Sequence, residues 1–566
     1  MSEIIKDLSK YNVLGTEFRA GQEEYITKMI QFSQDPTKKY MIFQGNVGIG
    51  KSLVALTSAK YISKNDNKTV FITSPKNILV DQYQHDYDKF MTVMKGGANY
   101  DCLMLPDCKY DHGPCHNTKC GVKNCPKASI CPYRQAFANA KKDSIVLTNM
   151  HWLLCTSNIG GLLPTRDLLI IDEAHSLDST LLDFLTISYS GRILTALSKI
   201  VEHAQTNNFI LYRKLRKDQL NLTNLLNIGL LENINPTNID EISVLIDSIK
   251  FPIQEAKNEF DRVLKDFDAE TLHSKEIPAW NEFNRDYNLL KNFLSKVDWF
   301  NYLKGFTPWL CDPTIDFKTK EITGFTVKPI NALALAKIIL PKIAHKVVFM
   351  SATIGKKEQF CKDLGVPDNT VEYVETESDF PKDKRPVYRD FVGVFNKANQ
   401  ETYLQNAVKK IDELLDKYPN YKGLIHTTTF TQCEYIQAHS KHRTRLLTHT
   451  TKDKPEVVEM FMKSKNSVLC SPSCKEGLDL KDDLCRFQII VKVPWGDLTD
   501  KVVQVRLKED PVWYANEAIK NLEQAYGRGM RSKTDWCDCY ILDQSFQRLL
   551  GQHMDLFSKY FLEALV

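Results

Sequence analysis

No run of apolar residues in this 566-residue chain is long enough to cross a bilayer, which excludes a protein held by membrane-spanning helices. The opening stretch, MSEIIKDLSKYNVLG, is charged and lacks the basic-then-apolar layout of a secretory signal. There is no internal repeat and no low-complexity tail. Net charge is scarce too: at +4 it argues for no nucleic-acid partner by itself, and any basic track must be local and created by folding. With 43% apolar and 25% charged residues the composition is that of ordinary globular proteins, and the length calls for two main domains plus insertions. A soluble, cytoplasmic protein is expected, neither secreted nor bound to a membrane.

Cysteine is plentiful. There are fifteen, an odd number, and six crowd into residues 102 to 131 while the rest are scattered. Such a cluster in an intracellular protein points to metal binding rather than disulfides.

Several short apolar runs stand out: Met41–Phe43, Val70–Thr73, Ser144–Thr148, Leu168–Ile171 and Val347–Met350. Each reads as a parallel strand buried on both faces. Helical stretches such as Ser52–Ser63 lie between them, in the alternation of a doubly wound sheet. Gly423–Thr427, Ser467–Cys470, Gln488–Val493 and Cys539–Leu542 form a second set, so two α/β sheets are predicted. From Ser176 to Thr323 strand-like runs are rare and Leu, Ile, Lys, Asn and Asp recur at helical spacing, as in DQLNLTNLLNIGLLENI. That region reads as a helical insertion into the first sheet.

GNVGIGKS, Gly45 to Ser52, fits the phosphate-loop pattern, with a strand before it and a helix after. Gly45, Gly48 and Gly50 let the backbone turn its N–H groups toward the phosphates at a helix N-terminus. Lys51 is placed to reach the β and γ phosphates of ATP, and the Ser52 hydroxyl to hold Mg²⁺. In LLIIDEAH an apolar strand ends in Asp172 and Glu173, two carboxylates at the sheet edge where open α/β folds bind ligands. Asp172 is expected to hold Mg²⁺ and Glu173 to polarise the attacking water. Taken alone the acids would serve as a helix cap; the phosphate loop upstream favours the nucleotide site.

SATI, Ser351 to Ile354, follows the strand VVFM, and EQAYGRGMR sets Arg528 and Arg531 three apart, the spacing that places two residues on one helix face. Such a pair can stabilise charge on a γ-phosphate, although alone it reads as a solvated basic face. Together these segments resemble the superfamily 2 helicase motifs, in order along nearly the whole chain. FRAGQ, with Phe18, Arg19 and Gln22, is similar to the adenine-reading segment, and FITSPKNILVDQ, Phe71 to Gln82, to a DNA-contacting motif. KGLIHTTTF, Lys422 to Phe430, and KEGLDL, Lys475 to Leu480 with Asp479, resemble the fourth and fifth motifs. QAYGRGMR resembles the sixth, which implies Gln524, Arg528 and Arg531 at the γ-phosphate and Asp479 among the nucleotide-binding residues.

By spacing alone the cysteines, with His112 and His116 nearby, suit zinc as well as an iron–sulphur cluster. Lys95, Gly96, Asn99, Tyr100 and Cys102 match the K-G-x-x-N-Y-x-C entry of the XPD/DinG iron–sulphur helicases, and Cys120-x₄-Cys125-x₅-Cys131-Pro132-Tyr133 resembles the DinG-type spacing. The chain departs from that family at Gly97, where many members carry Arg, and in holding the extra Cys108 and Cys115. The resemblance implies two RecA-like domains and a [4Fe–4S] cluster on Cys102, Cys120, Cys125 and Cys131. It divides the chain into a first helicase domain over 1–95, 136–178 and 324–356, a cluster insertion over 96–135, a helical Arch over 179–323 and a second helicase domain over 357–566. It further implies an ATP-dependent, monomeric helicase moving 5′→3′ on single-stranded DNA and opening forked or tailed duplexes, with no membrane partner. Remodelling of protein–DNA complexes without unwinding, a redox-sensing DNA-binding protein, and zinc in place of iron are the competing expectations.

Overall fold

The computed structural model describes residues 8–566 apart from 16, 47, 76, 88–89, 117–124, 157–161, 207–237, 269–271, 316–321, 379, 397, 474–479, 481 and 531–533. The segment DQLNLTNLLNIGLLENI, most of KEGLDL, Cys120, Asp479 and Arg531 lie outside the described residues. No helix among the described residues is long and apolar enough to cross a membrane.

The chain begins the first sheet with β1 (Tyr40–Gln44), β2 (Val70–Ser74), β3 (Thr92–Met94), β4 (Ile145–Asn149) and β5 (Arg166–Asp172). It leaves for an insertion holding β6 (Ile187–Ser190), β7 (Trp309–Ile315) and β8 (Ile322–Pro329), then returns with β9 (Ala344–Ser351) and β10 (Val371–Glu375). The first sheet is parallel with strand order β10-β1-β9-β5-β2-β4-β3. Every residue of β1, β2 and β4 is buried, which is why these strands read as continuous apolar runs.

That order brings distant segments together. β9 sits between β1 and β5, with Ser351 opposite Gln44 and Met350 opposite Asp172. The phosphate loop, the SAT segment and the DEAH box therefore leave the carboxyl ends of three adjacent strands, the edge at which α/β sheets bind ligands.

The insertion is not wholly helical. β6, β8 and β7 form an antiparallel three-stranded sheet beside the long helices Ile239–Lys265 and Ile277–Leu303. One face of β8 is buried and the other partly open, so its strand pattern is broken by polar residues and merges with the helical texture around it. The sheet runs on to Pro329, past the expected limit at 323. Likewise β10 pairs with β1, which carries the first domain past the expected boundary at 356.

The second domain holds β11 (Val387–Tyr388), β12 (Gly423–His426), β13 (Leu446–Leu447), β14 (Val468–Ser471), β15 (Phe487–Ile490) and β16 (Asp538–Ile541). They form a parallel sheet in the order β11-β16-β15-β12-β14-β13. The helix Pro511–Tyr526 packs into this domain's apolar core through Ala518, Ile519, Leu522 and Ala525. Asp510 caps it by accepting from Trp513 N at 3.2 Å, and Pro511 stands in its first turn, the usual signature of a helix start.

Candidate active site

The phosphate loop closes on itself and on its neighbours. Gly48 and Gly50 have φ of 86° and 76°, the left-handed region that side chains strain to adopt. Space is closed there as well: a Cβ on Gly50 would lie 2.7 Å from Gln22 Nε2, and one on Gly48 would lie 2.0 Å from the Phe380 ring of the second domain's core. Gln22 Nε2 donates to Ile49 O at 2.7 Å, its Oε1 accepts from Arg19 N at 2.8 Å, and Arg19 Nη1 donates to Gly48 O at 2.8 Å. FRAGQ is thus tied to the phosphate-loop backbone, and both ends of the Gln22 amide are occupied by protein. Lys51 begins the helix Lys51–Asn65 and donates from Nζ to Gly45 O at 3.3 Å. Ser52 follows in its first turn.

The acid pair stands opposite. Asp172 is buried at the end of β5, where it accepts from Tyr83 Oη at 2.8 Å and from Glu173 N at 3.0 Å. Burial, then the charge of Glu173, push its carboxyl up to about 6. Tyr83 also faces Ser52, so one phenol joins the residues expected to hold Mg²⁺. Glu173 takes a left-handed backbone, φ 52°, which is uncommon outside glycine and aims its carboxylate back over the strand ends. Burial disfavours its charge, but His175, Lys51 and Arg528 outweigh that and hold its acid well below the usual range. An ionised carboxylate in this position can accept a proton from water.

His175 joins the motifs. Its Nδ1 lies 2.9 Å from Ser351 Oγ and 3.3 Å from Glu173 Oε2, and Ser351 Oγ donates to Glu173 Oε2 at 3.4 Å. From the second domain Gln524 Nε2 donates to Thr353 Oγ1 and lies 3.3 Å from His175 Nδ1. Arg528 Nη2 donates to Gln524 Oε1 at 3.1 Å. One expectation is corrected here: the helix ends at Tyr526, so Arg528 stands in the turn beyond Gly527 rather than on a helix face with Arg531. Close packing makes that turn, because a Cβ on Gly529 would lie 2.1 Å from Cys537 Sγ.

Sequence reasoning missed Tyr83 and Phe380, and it read Thr353 only as part of SATI, without its partner Gln524. Tyr83 follows directly on the segment read as a nucleic-acid contact, and its place on the helix Asn77–Tyr87 was the available signal. Phe380 acts across the domain boundary and carries no local signature.

In the cysteine segment, Cys102 N bonds Cys108 O at 2.8 Å and Tyr110 N bonds Tyr100 O at 2.9 Å, closing a small hairpin. A hydrogen bond from Cys108 holds the Cys102 thiol down at about 6, toward the thiolate that binds metals. A Cβ on Gly113 would come within 3.3 Å of Cys102 Sγ and 3.7 Å of Cys115 Sγ, so this glycine leaves a cradle for two thiols. Cys115, Cys125 and Cys131 share a cluster with Tyr110 and Tyr133, whose rings stack at 3.8 Å. Among the described residues no three or more His, Cys, Asp or Glu side chains gather at metal-holding distances. The insertion docks on the long helix through Trp280 Nε1 to His112 O at 3.1 Å, Asn281 Nδ2 to Asp107 O at 3.3 Å and Asn288 Nδ2 to Asp111 O at 3.4 Å.

Two family models match the chain: a helicase C-terminal domain over residues 411–561, and the res subunit of type III restriction enzymes over 15–212. The ATP-dependent DNA helicase YoaA of Haemophilus influenzae is 22% identical, with 93% of this chain and 90% of that protein aligned. A probable ATP-dependent helicase of Methanocaldococcus jannaschii is 21% identical over 91% of this chain and 90% of its own. A solved XPD helicase structure superposes with a TM-score of 0.60 at 14% identity, covering 96% of this chain and 98% of its own, which shows a shared fold. With its motif loops converging on one cleft, the chain is similar to superfamily 2 ATP-dependent helicases of the DinG/XPD type and shares the XPD fold.

Proposed function

We propose that this protein moves 5′→3′ along single-stranded DNA and uses ATP hydrolysis between its two parallel-sheet domains to open duplexes. One observation carries the reading: Gln524 of the second domain reaches Thr353 and His175 at the end of the first sheet, so the nucleotide cleft is built from both domains. ATP lies with its phosphates on the loop from Gly45 to Ser52, gripped by Lys51. Ser52 and Asp172 would hold Mg²⁺, which would offset the phosphate charge. Glu173 draws a proton from the attacking water, and Arg528, with Arg531 and Gln524, faces the charge growing on the γ-phosphate. Phosphate loss removes the ligand that both domains hold, the cleft opens, and alternating grips on the DNA backbone turn this cycle into steps. Arg19 and Gln22 border the loop and Asp479 belongs to the fifth motif.

The same reading assigns Cys102, Cys120, Cys125 and Cys131 to a [4Fe–4S] cluster. The DinG-type spacing supports that assignment, with Cys125 and Cys131 packed in one cluster beside Tyr110 and Tyr133. The cluster would cross-link an insertion that also packs into the first-domain core through Leu105 and Cys108 and accepts from Trp152 Nε1 at Tyr133 Oη, 3.3 Å away.

Strand displacement on duplexes with 5′ or 3′ tails tests the function. Unwinding of the 5′-tailed substrate alone is expected, with Lys51→Ala inactive; ATP turnover without displacement would leave a remodelling ATPase instead. Anaerobic protein is expected to be brown, absorbing near about 400 nm with roughly four irons per chain. Stoichiometric zinc in a colourless preparation would overturn the cluster. Cys102→Ser is expected to lose unwinding while still binding nucleotide.

A further inference from the structure

Beside the nucleotide cleft a second group of charges spans the two domains and touches no expected ligand. Arg506, on the second-domain helix Lys501–Glu509, donates from Nη1 to Asp178 Oδ2 at 2.6 Å, and its Nη2 lies 3.7 Å from Asp363 Oδ1. Its guanidinium carbon lies 3.8 Å from the Trp513 ring centroid. The side chains of Arg506, Asp178 and Asp363 are only 7%, 15% and 10% exposed, so this is no surface pair. Asp178 opens the helix Leu177–Leu185 that continues the DEAH box, and Asp363 belongs to the helix Lys357–Leu364 that follows the SAT segment. One arginine therefore holds the elements behind two first-domain motifs.

The surrounding contacts lead to the catalytic face. Gln359 Nε2 donates to Asp363 Oδ1 and to Asp510 Oδ2, both at 3.0 Å, and Lys362 Nζ donates to Asp510 Oδ2 at 2.6 Å. Asp510 caps the helix Pro511–Tyr526, so the first domain grips the start of the helix that carries Gln524 near its end. One turn before Gln524, Lys520 pairs with Glu517 and points Nζ at His175 O, 3.5 Å away. Asp178 and Asp363 share Arg506 as their common cation, and Asp178 Oδ1 is buried with no hydrogen-bond partner. Buried carboxylates repel once their shared cation is removed.

We infer that Arg506 is a positioning residue for ATP hydrolysis: its bridge to Asp178 and Asp363 locks the second-domain helix in the register that sets Gln524 and Arg528 on the DEAH box. The inference rests on the ATPase reading above. Lys51 and Ser52 lie in the first domain and bind phosphate without the bridge. Gln524 and Arg528 act on charge that develops in the transition state, so losing the bridge lowers kcat and spares KM.

The test measures steady-state ATP hydrolysis by the full chain with saturating single-stranded DNA. Arg506→Ala is expected to lower kcat by about 10²-fold, the usual scale for a reacting group moved by an ångström, with KM for ATP changed less than about twofold. Asp178→Asn, nearly isosteric, is expected to shift kcat in the same direction and serves where Arg506→Ala folds poorly. Arg506→Lys restores charge without the planar fork and recovers part of the rate. The exchange Arg506→Asp with Asp178→Arg recovers more than either single change. Wild-type kcat in a folded Arg506→Ala, or equal loss in kcat and in ATP affinity, overturns the inference and leaves the helicase reading intact. A wild-type protein that hydrolyses ATP yet never unwinds overturns the helicase reading and leaves the latch measurable by ATPase.

Discussion

At the scale of single residues, the nucleotide site depends on atoms that are missing. Gly50 has φ 76° and faces Gln22 Nε2 at 2.7 Å from where a Cβ would stand. Gly50→Ala is expected to destabilise the protein by about 1–3 kcal/mol and to raise KM for ATP, because FRAGQ must move off the loop. Thermal unfolding and ATP titration check both parts. Such positions were legible in the sequence because a phosphate loop is local: its glycines, lysine and serine follow one another, and chain geometry does the rest. Asp172 and Glu173 were legible for the same reason. Tyr83 and Phe380 were not, since each matters through a neighbour from a remote segment, and SATI displayed Thr353 without showing that Gln524 would meet it. A phenol that meets Asp172 at 2.8 Å has no sequence pattern that distinguishes it from Tyr87 one turn later.

Elements carry a different lesson. Strands buried on both faces, such as β1, β2 and β4, were plain to read. β10, with sequence VEYVE at the sheet edge, is only partly buried and holds two glutamates, so it did not read as a strand and fell beyond the expected boundary at 356. The antiparallel β6, β7 and β8 were lost in helical surroundings for the same reason: a half-exposed strand needs only half its residues apolar. Arg528 shows the converse, a helical spacing cut short by Gly527 and by the close approach at Gly529. The helix Ile277–Leu303 does more than fill space, because Trp280 and Asn288 hold the backbone of the cysteine insertion. Trp280→Phe keeps most of the buried ring and removes one hydrogen bond, an expected loss of about 1 kcal/mol. Trp280→Ala empties a fully buried site and is expected to cost about 3–5 kcal/mol. Chemical denaturation of the two variants separates the bond from the packing.

For the whole molecule, the buried acids set a pH dependence. Burial, and then Asp178, push Asp363 up to about 7 against the pull of Lys520 and Arg506, with Glu517 adding to the rise. Burial also lifts Glu523 to about 7, although Ser558 donates to it; Glu375 adds to the rise. Both folded-state values exceed the unfolded ones, so the folded protein binds the extra protons. Their stabilisation is complete below about pH 4, where both states are protonated, and is lost as pH rises through 7. Melting temperature is expected to fall between pH 5 and pH 7.5 on account of these groups, and Asp363→Asn to flatten part of that slope; an unchanged slope in the variant would refute the assignment. The strand order of the first sheet has a consequence for birth as well as for catalysis. β9 lies between β1 and β5 but leaves the ribosome only after the whole insertion has been made. At usual synthesis speeds the two inner strand edges wait on the order of ten seconds or more for their partner. Through that interval the nascent first domain carries open, apolar β-edges, the surface that chaperones exist to cover.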